Sequence, residues 1–115
     1  MTMIVMAGWL ELDPILRDRA LMKGTRIIEK ALQVKGCRAY RWTKDMQANN
    51  KIWMYGLWET EEALNKHFEG NAYREMGEHL RQCGLDNFEI SKFRADLEEP
   101  LYDTNGSPRA DFSRT

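Results

Sequence analysis

Residues 51–69, KIWMYGLWETEEALNKHFE, carry the strongest secondary-structure signal in the chain. The first part, Lys51–Glu59, is dense in aromatic and aliphatic side chains, which predicts a β-strand. Thr60 then precedes two glutamates, a pattern typical of a helix start. The threonine hydroxyl can accept a hydrogen bond from a free backbone N–H, and the carboxylates favour the positive end of the helix. This stretch therefore predicts a strand that leads directly into a helix.

On the N-terminal side, another strand is predicted over Met3–Leu12, which is rich in apolar residues. It stops at Asp13-Pro14, where the aspartate can cap a helix and the proline can occupy its first turn. Apolar residues then recur at helical spacing over Ile15–Val34, which predicts an amphipathic helix. Gly36 is a helix C-terminal signal, so we expect that helix to end there.

Between this helix and Lys51, the sequence predicts a strand over Cys37–Asp45 that places Tyr40 and Trp42 on one face. The polar stretch Met46–Asn50 is predicted to be the hairpin loop that joins it to the strand beginning at Lys51.

Helical spacing continues from Thr60 to Gly70, where Asn71 can cap a further helical segment that runs up to Gly84. Phe88–Leu97 is predicted as the last strand. The order is strand, helix, strand, strand, helix, strand, so the predicted class is α+β with a ferredoxin-like βαββαβ arrangement and a four-stranded antiparallel sheet. We expect one domain over residues 1–98 and a C-terminal tail over 99–115 that is flexible or docks on a partner subunit.

Composition excludes several classes of protein. Lysine and arginine number 17 against 18 acidic residues, giving a net charge of −1, so there is no basic excess for nucleic acid or an anionic membrane. The apolar run Met3–Leu10 is too short to span a bilayer, and no basic residue precedes it as in a signal peptide. We therefore expect a cytoplasmic protein. Cys37 and Cys83 lack metal-ligand spacing and are expected to be small buried residues without a disulfide or a metal.

The strands are apolar on both faces. In the first strand Met3, Val5, Ala7 and Trp9 alternate with Ile4, Met6, Gly8 and Leu10, and in the strand from Lys51 the residues Trp53, Tyr55 and Leu57 alternate with Ile52, Met54, Gly56 and Trp58. Two helical arms can cover only one face of four strands, and wetting large apolar side chains is costly. The sequence therefore predicts a homodimer in which two sheets pack face to face.

Three segments resemble the antibiotic biosynthesis monooxygenases of the dimeric α+β barrel superfamily: VKGCRAY at 34–40, YGLWETEEALNKHF at 55–68 and GNAYREM at 70–76. The resemblance covers about residues 3–98. It implies a dimeric α+β barrel with a ligand cavity between the sheet and the helices. It also implies oxidation of a small phenolic, quinol or polyketide-type substrate by O₂, with no metal or other cofactor.

The resemblance also implies roles for individual residues. Trp58 matches the family tryptophan and would stack on a planar ligand, and His67 matches the family histidine and would be the catalytic base. Trp9 and Met54 are expected to line the same pocket, while Tyr73 and His79 lie on a segment that could form a lid. Each of these residues has a plainer interpretation as a packing side chain.

Two alternatives stay open at this point. A haem-degrading relative is disfavoured, because the resemblance places Gly77 where that branch has its iron-ligating histidine. A non-catalytic barrel that binds a small aromatic gains support from Met54, which stands where the actinorhodin-type oxygenases have an asparagine.

Overall fold

The structure, a computed structural model, describes residues 2–112. Four strands and three helices follow one another as β1 (Met3–Glu11), α1 (Arg17–Leu32), β2 (Cys37–Lys44), β3 (Lys51–Trp58), α2 (Glu61–Glu69), α3 (Asn71–Gln82) and β4 (Asn87–Ala95). The strands form one sheet in the order β2-β3-β1-β4, with every neighbouring pair antiparallel. This confirms the predicted α+β class and the ferredoxin-like arrangement, with α2 and α3 together serving as the second helical arm.

The helix starts confirm one prediction and correct two. The Thr60 hydroxyl accepts a hydrogen bond from the Ala63 backbone N–H at 3.0 Å, so Thr60 caps α2 as expected. Asp13 does not cap α1: its carboxylate accepts from Ile15 N at 2.9 Å, which closes a local turn, and the helix proper begins only at Arg17. Asn71 is the first residue of α3 rather than its cap, and its side chain accepts from Arg74 instead.

The loop between β2 and β3 is held by two residues whose role the sequence did not reveal. Arg17 is buried at the start of α1, and its guanidinium donates to the carbonyl oxygens of Ala48 at 2.7 Å and Asp45 at 3.2 Å. The Asp45 carboxylate accepts from the loop N–H groups of Gln47 and Ala48 and from the Trp53 indole at 2.6 Å. The indole hydrogen bond is the main cause that lowers the pKa of Asp45 to about 2.

The helices cover one face of the sheet. On β3, Ile52, Met54 and Trp58 are all at most 4% exposed, whereas Trp53 and Tyr55, on the other face, are 43% and 42% exposed. The core lies between the covered face and the helices. Gly36, with φ +94°, ends the turn after α1, and a Cβ there would lie 2.6 Å from that of Ala63 on α2.

None of the helices within residues 2–112 covers the other face of the sheet. The register places Trp9 opposite Trp53, Ala7 opposite Tyr55 and Val5 opposite both Leu57 and Phe93. Phe93 is 55% exposed. We call this surface the open face. Its apolar character matches the prediction from alternation, although the Lys51 ammonium covers the Trp9 ring at 4.5 Å.

The chain continues past β4 into a C-terminal arm, which here means residues 96–112. Tyr102 pairs with Pro108, and the Asp103 carboxylate accepts from the backbone of Asn105 and Ser107, so this part of the arm is an ordered hairpin. Leu101 and Tyr102 are 61% and 58% exposed. The predicted tail extends to residue 115, and its last three residues lie outside the described part of the chain.

The two cysteines are free thiols, with Cys83 buried and Cys37 half-buried. Burial raises the pKa of Cys37. Within residues 2–112 no group of three or more histidine, cysteine or acidic side chains is placed to hold a metal ion. Over the same residues, none of the helices combines the length and the apolar character needed to cross a bilayer.

Candidate active site

A cavity of about 690 Å³ lies between the covered face of the sheet and α3. We call it the helix-side cavity. The strands contribute mainly apolar and aromatic side chains, including Met6, Leu10, Tyr40, Trp42, Met54 and Ile90. Helix α3 contributes one face, formed by Tyr73, Arg74, Met76, Gly77, Leu80 and Arg81. Few convergent polar groups on a mostly apolar wall are typical of a small-molecule site.

A larger groove, of about 1060 Å³, runs between α2 and β4. Its lining includes Glu61, Glu62, Lys66 and Arg94, which are exposed charged side chains. Charged side chains make up much of this groove's lining, whereas the lining of the helix-side cavity is more strongly apolar and aromatic, so the smaller helix-side cavity is the better candidate for a ligand site.

Tyr40 and Trp42 form the strand side of the cavity, with ring centroids 6.2 Å apart in an edge-to-face arrangement. Burial raises the pKa of Tyr40 to about 12, because the phenolate would lose its hydration. Its hydroxyl therefore stays protonated and can donate a hydrogen bond. The Trp42 indole N–H is buried and offsets part of that pKa shift, yet it forms no hydrogen bond of ordinary geometry with the described residues.

His67 lies directly behind this wall, enclosed by aromatic rings. Its ring centroid is 4.8 Å from that of Trp58, 5.1 Å from Tyr40 and 5.6 Å from Tyr73. Phe68 completes the enclosure at 5.9 Å. The side chain is only 2% exposed, and neither ring nitrogen has a hydrogen-bond partner among the described residues.

This environment sets the protonation state of His67. Burial lowers the pKa of the imidazole from its usual 6.5, because the charged form would be deprived of water and no carboxylate of the described residues compensates. At neutral pH the ring is therefore uncharged, with one nitrogen free to accept a proton. An unpaired buried polar group costs about 1 to 3 kcal/mol, so this arrangement is unusual for a purely structural residue.

Local sequence explains how the aromatic rings approach so closely. Gly56 lies on the covered face of β3, where a Cβ would come within 3.1 Å of the Trp58 indole nitrogen. Trp58 ends β3 and His67 lies on α2, so the strand-to-helix passage capped by Thr60 brings the two rings together. Gly77 lines the cavity on α3, and the lack of a side chain there leaves its interior open.

The structure divides the five predicted site residues into three groups. Met54 and Tyr73 line the helix-side cavity. Trp58 and His67 stack on each other behind its wall, with Trp58 fully buried. Trp9 lies on the open face, so the expectation that it lines the same pocket is corrected: odd-numbered residues of β1 point away from the helices.

The structure also shows where His79, Tyr40, Trp42 and Gly77 lie. His79 faces α1, where its Nε2 lies 2.9 Å from the Ala20 carbonyl oxygen, so it joins two helices. Tyr40 and Trp42 line the cavity, although sequence reasoning did not select them as site residues. The sequence signal that could have identified them as site residues is that both lie on one face of the predicted strand. This chain has Gly77 at the position where the haem-degrading pattern has its iron-ligating histidine. Among the described residues, the cavity lining contains no imidazole or thiol.

The fold is thus ferredoxin-like, with a mostly apolar and aromatic cavity between the sheet and the helices. The sequence profile described as antibiotic biosynthesis monooxygenase matches residues 3–79. The chain belongs to the antibiotic biosynthesis monooxygenase family.

Solved structures share this fold. A Deinococcus radiodurans protein named for the antibiotic biosynthesis monooxygenases superimposes with a TM-score of 0.78 at 14% identity, covering 87% of this chain and 99% of that one. A conserved Bacteroides thetaiotaomicron protein, described as a possible oxidoreductase, has a TM-score of 0.73 at 17% identity over 82% of this chain and 98% of its own. A conserved protein from Methanosarcina mazei has a TM-score of 0.73 at 20% identity, covering 81% and 92%. No curated protein matches the chain.

Proposed function

We propose that the protein is a cofactor-independent monooxygenase that oxidises a small aromatic substrate, of the phenol, quinol or polyketide type, in the helix-side cavity. The observation that carries the proposal is the buried, uncharged and unpaired His67 behind an aromatic wall. Membership of the family supports the same reaction class.

The reaction needs no external reductant. Triplet O₂ reacts slowly with closed-shell molecules, but an electron-rich phenolate can transfer an electron to it. For a substrate with a methylene carbon between phenolic rings, the CH₂ becomes C=O, and the second oxygen atom leaves as water with the two hydrogens. All four electrons come from the substrate. The protein has to bind the ring, remove a proton and exclude water.

Each task has a candidate residue. The substrate ring packs against Trp42 and Met54, and the protonated Tyr40 hydroxyl donates to a substrate oxygen. His67 accepts the phenolic proton, with Trp58 fixing the plane of its ring from behind. Proton transfer requires hydrogen-bond distance. Tyr73, which is 47% exposed, therefore turns outward as the substrate enters and uncovers the imidazole.

We further propose that the active form is a homodimer built on the open face. Trp53, Tyr55 and Phe93 are between 42% and 55% exposed there. Removing the solvent-exposed half of three such aromatic side chains from water stabilises a subunit by roughly 5 to 10 kcal/mol, which is enough to favour association. A second sheet with the same face meets it in a symmetric contact.

The C-terminal arm fits a role in the same dimer. The radius of gyration is 16.0 Å, against about 13 Å for a compact chain of this length, so the arm extends the molecule. Its hairpin is ordered although Leu101, Tyr102 and Phe112 are each more than half exposed. We propose that these side chains pack on the partner subunit.

A non-catalytic binding protein is the second candidate, and one observation favours it. Met54 lines the cavity at the position where the actinorhodin-type pattern places an asparagine amide, so the wall lacks that polar group. Tight binding of an aromatic ligand under air, with no product, is the result expected of such a protein.

Oxygen consumption tests the proposal. The protein, treated with a chelator, is mixed with a panel of hydroquinones and anthrones in an oxygen electrode, and products are identified by mass spectrometry. We expect substrate-dependent uptake of one O₂ per substrate, with an anthrone converted to the anthraquinone. Binding without uptake across the panel would instead establish the non-catalytic alternative.

A further inference from the structure

The helix-side cavity carries charge of only one sign among its described lining residues. Arg74 and Arg81 reach it from the cavity-facing side of α3, and none of the lining residues is aspartate or glutamate. The chain as a whole has a net charge of −1, so this positive character is local. Overall charge would not draw an anion to this position.

Neither guanidinium is neutralised by a carboxylate in the part of the chain that the structure describes. Arg74 donates to the Asn71 side-chain amide oxygen at 3.2 Å, which leaves its charge uncompensated. The backbone carbonyl of Arg81 accepts from Gly84 N–H at 3.1 Å, but its guanidinium makes no hydrogen bond or ion pair with a described residue. One of its terminal nitrogens lies 3.4 Å from where a Cβ would stand at Gly77, so the group extends back along the cavity wall.

The acidic residues of α3 are directed elsewhere. Glu75 pairs with Lys30 on α1 at 3.4 Å, and the exposed Glu78 is absent from the cavity lining. The cavity thus combines an apolar interior with two cations, and none of its described lining residues carries an opposing negative charge.

We propose that the ligand of this cavity is an aromatic anion whose ring lies against Trp42 and Met54 and whose carboxylate, or equivalent acidic group, binds Arg81 and Arg74. The inference deepens the proposed function by naming its substrate class, and it rests on the cavity being the ligand site. It does not depend on the reaction. A planar guanidinium is suited to a carboxylate because it can donate two parallel hydrogen bonds.

A matched ligand pair tests the charge directly. Isothermal titration calorimetry at about pH 7.5 compares 2-naphthoate with 2-naphthamide, which has the same ring and nearly the same shape but no charge. We expect the carboxylate to bind at least about tenfold more tightly, with a preference that shrinks as salt is raised, since exposed charges are screened.

Arginine variants test whether the preference for the carboxylate comes from Arg74 and Arg81. Arg81→Gln and the double variant R74Q/R81Q should lose about tenfold in affinity for 2-naphthoate while 2-naphthamide binding stays unchanged. Arg26→Gln, at an exposed position of α1 outside the cavity, is the control and should behave as wild type.

Three results would overturn the inference. Equal affinities in wild type would remove the anion preference but leave the cavity as a ligand site. A preference that persists in R74Q/R81Q would show that Arg74 and Arg81 do not bind the anion. Failure of both naphthalenes to bind would remove the ligand site itself, and the proposed function would fall with it. An anion preference without oxygen uptake would support this inference while the oxygenase proposal fails.

Discussion

The rings of Trp58 and His67 lie 4.8 Å apart between centroids and are inclined by 31°, and no nitrogen of either ring has a hydrogen-bond partner among the described residues. A histidine that only packs would gain by satisfying at least one nitrogen. In this protein the ring nitrogens stay unpaired in the interior, next to a cavity, although leaving them unpaired lowers stability. Such unsatisfied groups concentrate where a ligand completes the site.

The first prediction separates stability from function at His67. His67→Phe replaces two unpaired nitrogens by apolar atoms within the same aromatic enclosure, so the free energy of unfolding should be unchanged or rise by about 1 kcal/mol. Oxygen uptake should be lost. His79→Phe is the contrasting variant: it removes the contact with the Ala20 carbonyl and should destabilise by about 1 kcal/mol. Urea unfolding measures both, and full activity of His67→Phe would contradict the role as base.

The second prediction concerns pH. Because the folded-state pKa of His67 lies below its usual value of 6.5, the unfolded chain binds the proton first as pH falls. The free energy of unfolding should therefore be fully maintained above pH 6.5 and decrease as pH falls from there through the lowered pKa. The neighbouring Tyr40 keeps its proton throughout this range, because burial raises its pKa to about 12. The slope should largely disappear in His67→Phe, and an unchanged slope would assign the effect to another group.

The third prediction concerns the β2–β3 loop. Arg17→Met removes a buried guanidinium that donates to the Asp45 and Ala48 carbonyls, and it should lower the free energy of unfolding by about 2 to 3 kcal/mol. Arg19→Met, at an exposed position two residues along α1, should change it by less than about 0.5 kcal/mol. Chemical denaturation compares the two. Similar losses in both variants would mean that the loop contacts contribute little.

The fourth prediction concerns the open face. Phe93→Glu places a charge in the proposed sheet-to-sheet contact and should convert a dimer into a monomer at micromolar concentration, as seen by sedimentation equilibrium. Met22→Glu changes an equally apolar side chain that is 77% exposed on α1, and it should remain dimeric. A wild-type protein that is already monomeric would exclude the open-face dimer.

The sequence was sufficient to predict the elements and their order, because helical and strand periodicities are local properties. Thr60 illustrates this, since its capping bond involves only a residue three positions away. The predicted start of α1, at Ile15, is two residues too early, because Asp13 can close a turn as well as cap a helix. The helix begins at Arg17, whose side chain contacts the distant β2–β3 loop, and such a tertiary contact is not visible in the local sequence.

The candidate site was less accessible to sequence reasoning. Family resemblance selected Trp58 and His67, but whether a side chain lines a cavity or lies behind its wall depends on packing between distant segments. Tyr40 on β2 and Tyr73 on α3 both come between His67 and the cavity, through contacts between segments far apart in the sequence. The position of Trp9 depends on strand register: alternation places it on one face of β1 with Val5 and Ala7, and the antiparallel pairing with β3 sets that face opposite Trp53 and Tyr55, away from Trp58.

The most direct test of the account is oxygen uptake by a variant whose cavity is filled. Gly77→Phe places a ring into the helix-side cavity from α3, and Glu78→Phe places the same ring on the exposed side of that helix. With the substrate that the wild type oxidises fastest, we predict that uptake is abolished in Gly77→Phe and retained in Glu78→Phe. Wild-type uptake in Gly77→Phe, or no uptake by the wild-type protein with any phenol, quinol or anthrone, would contradict the account.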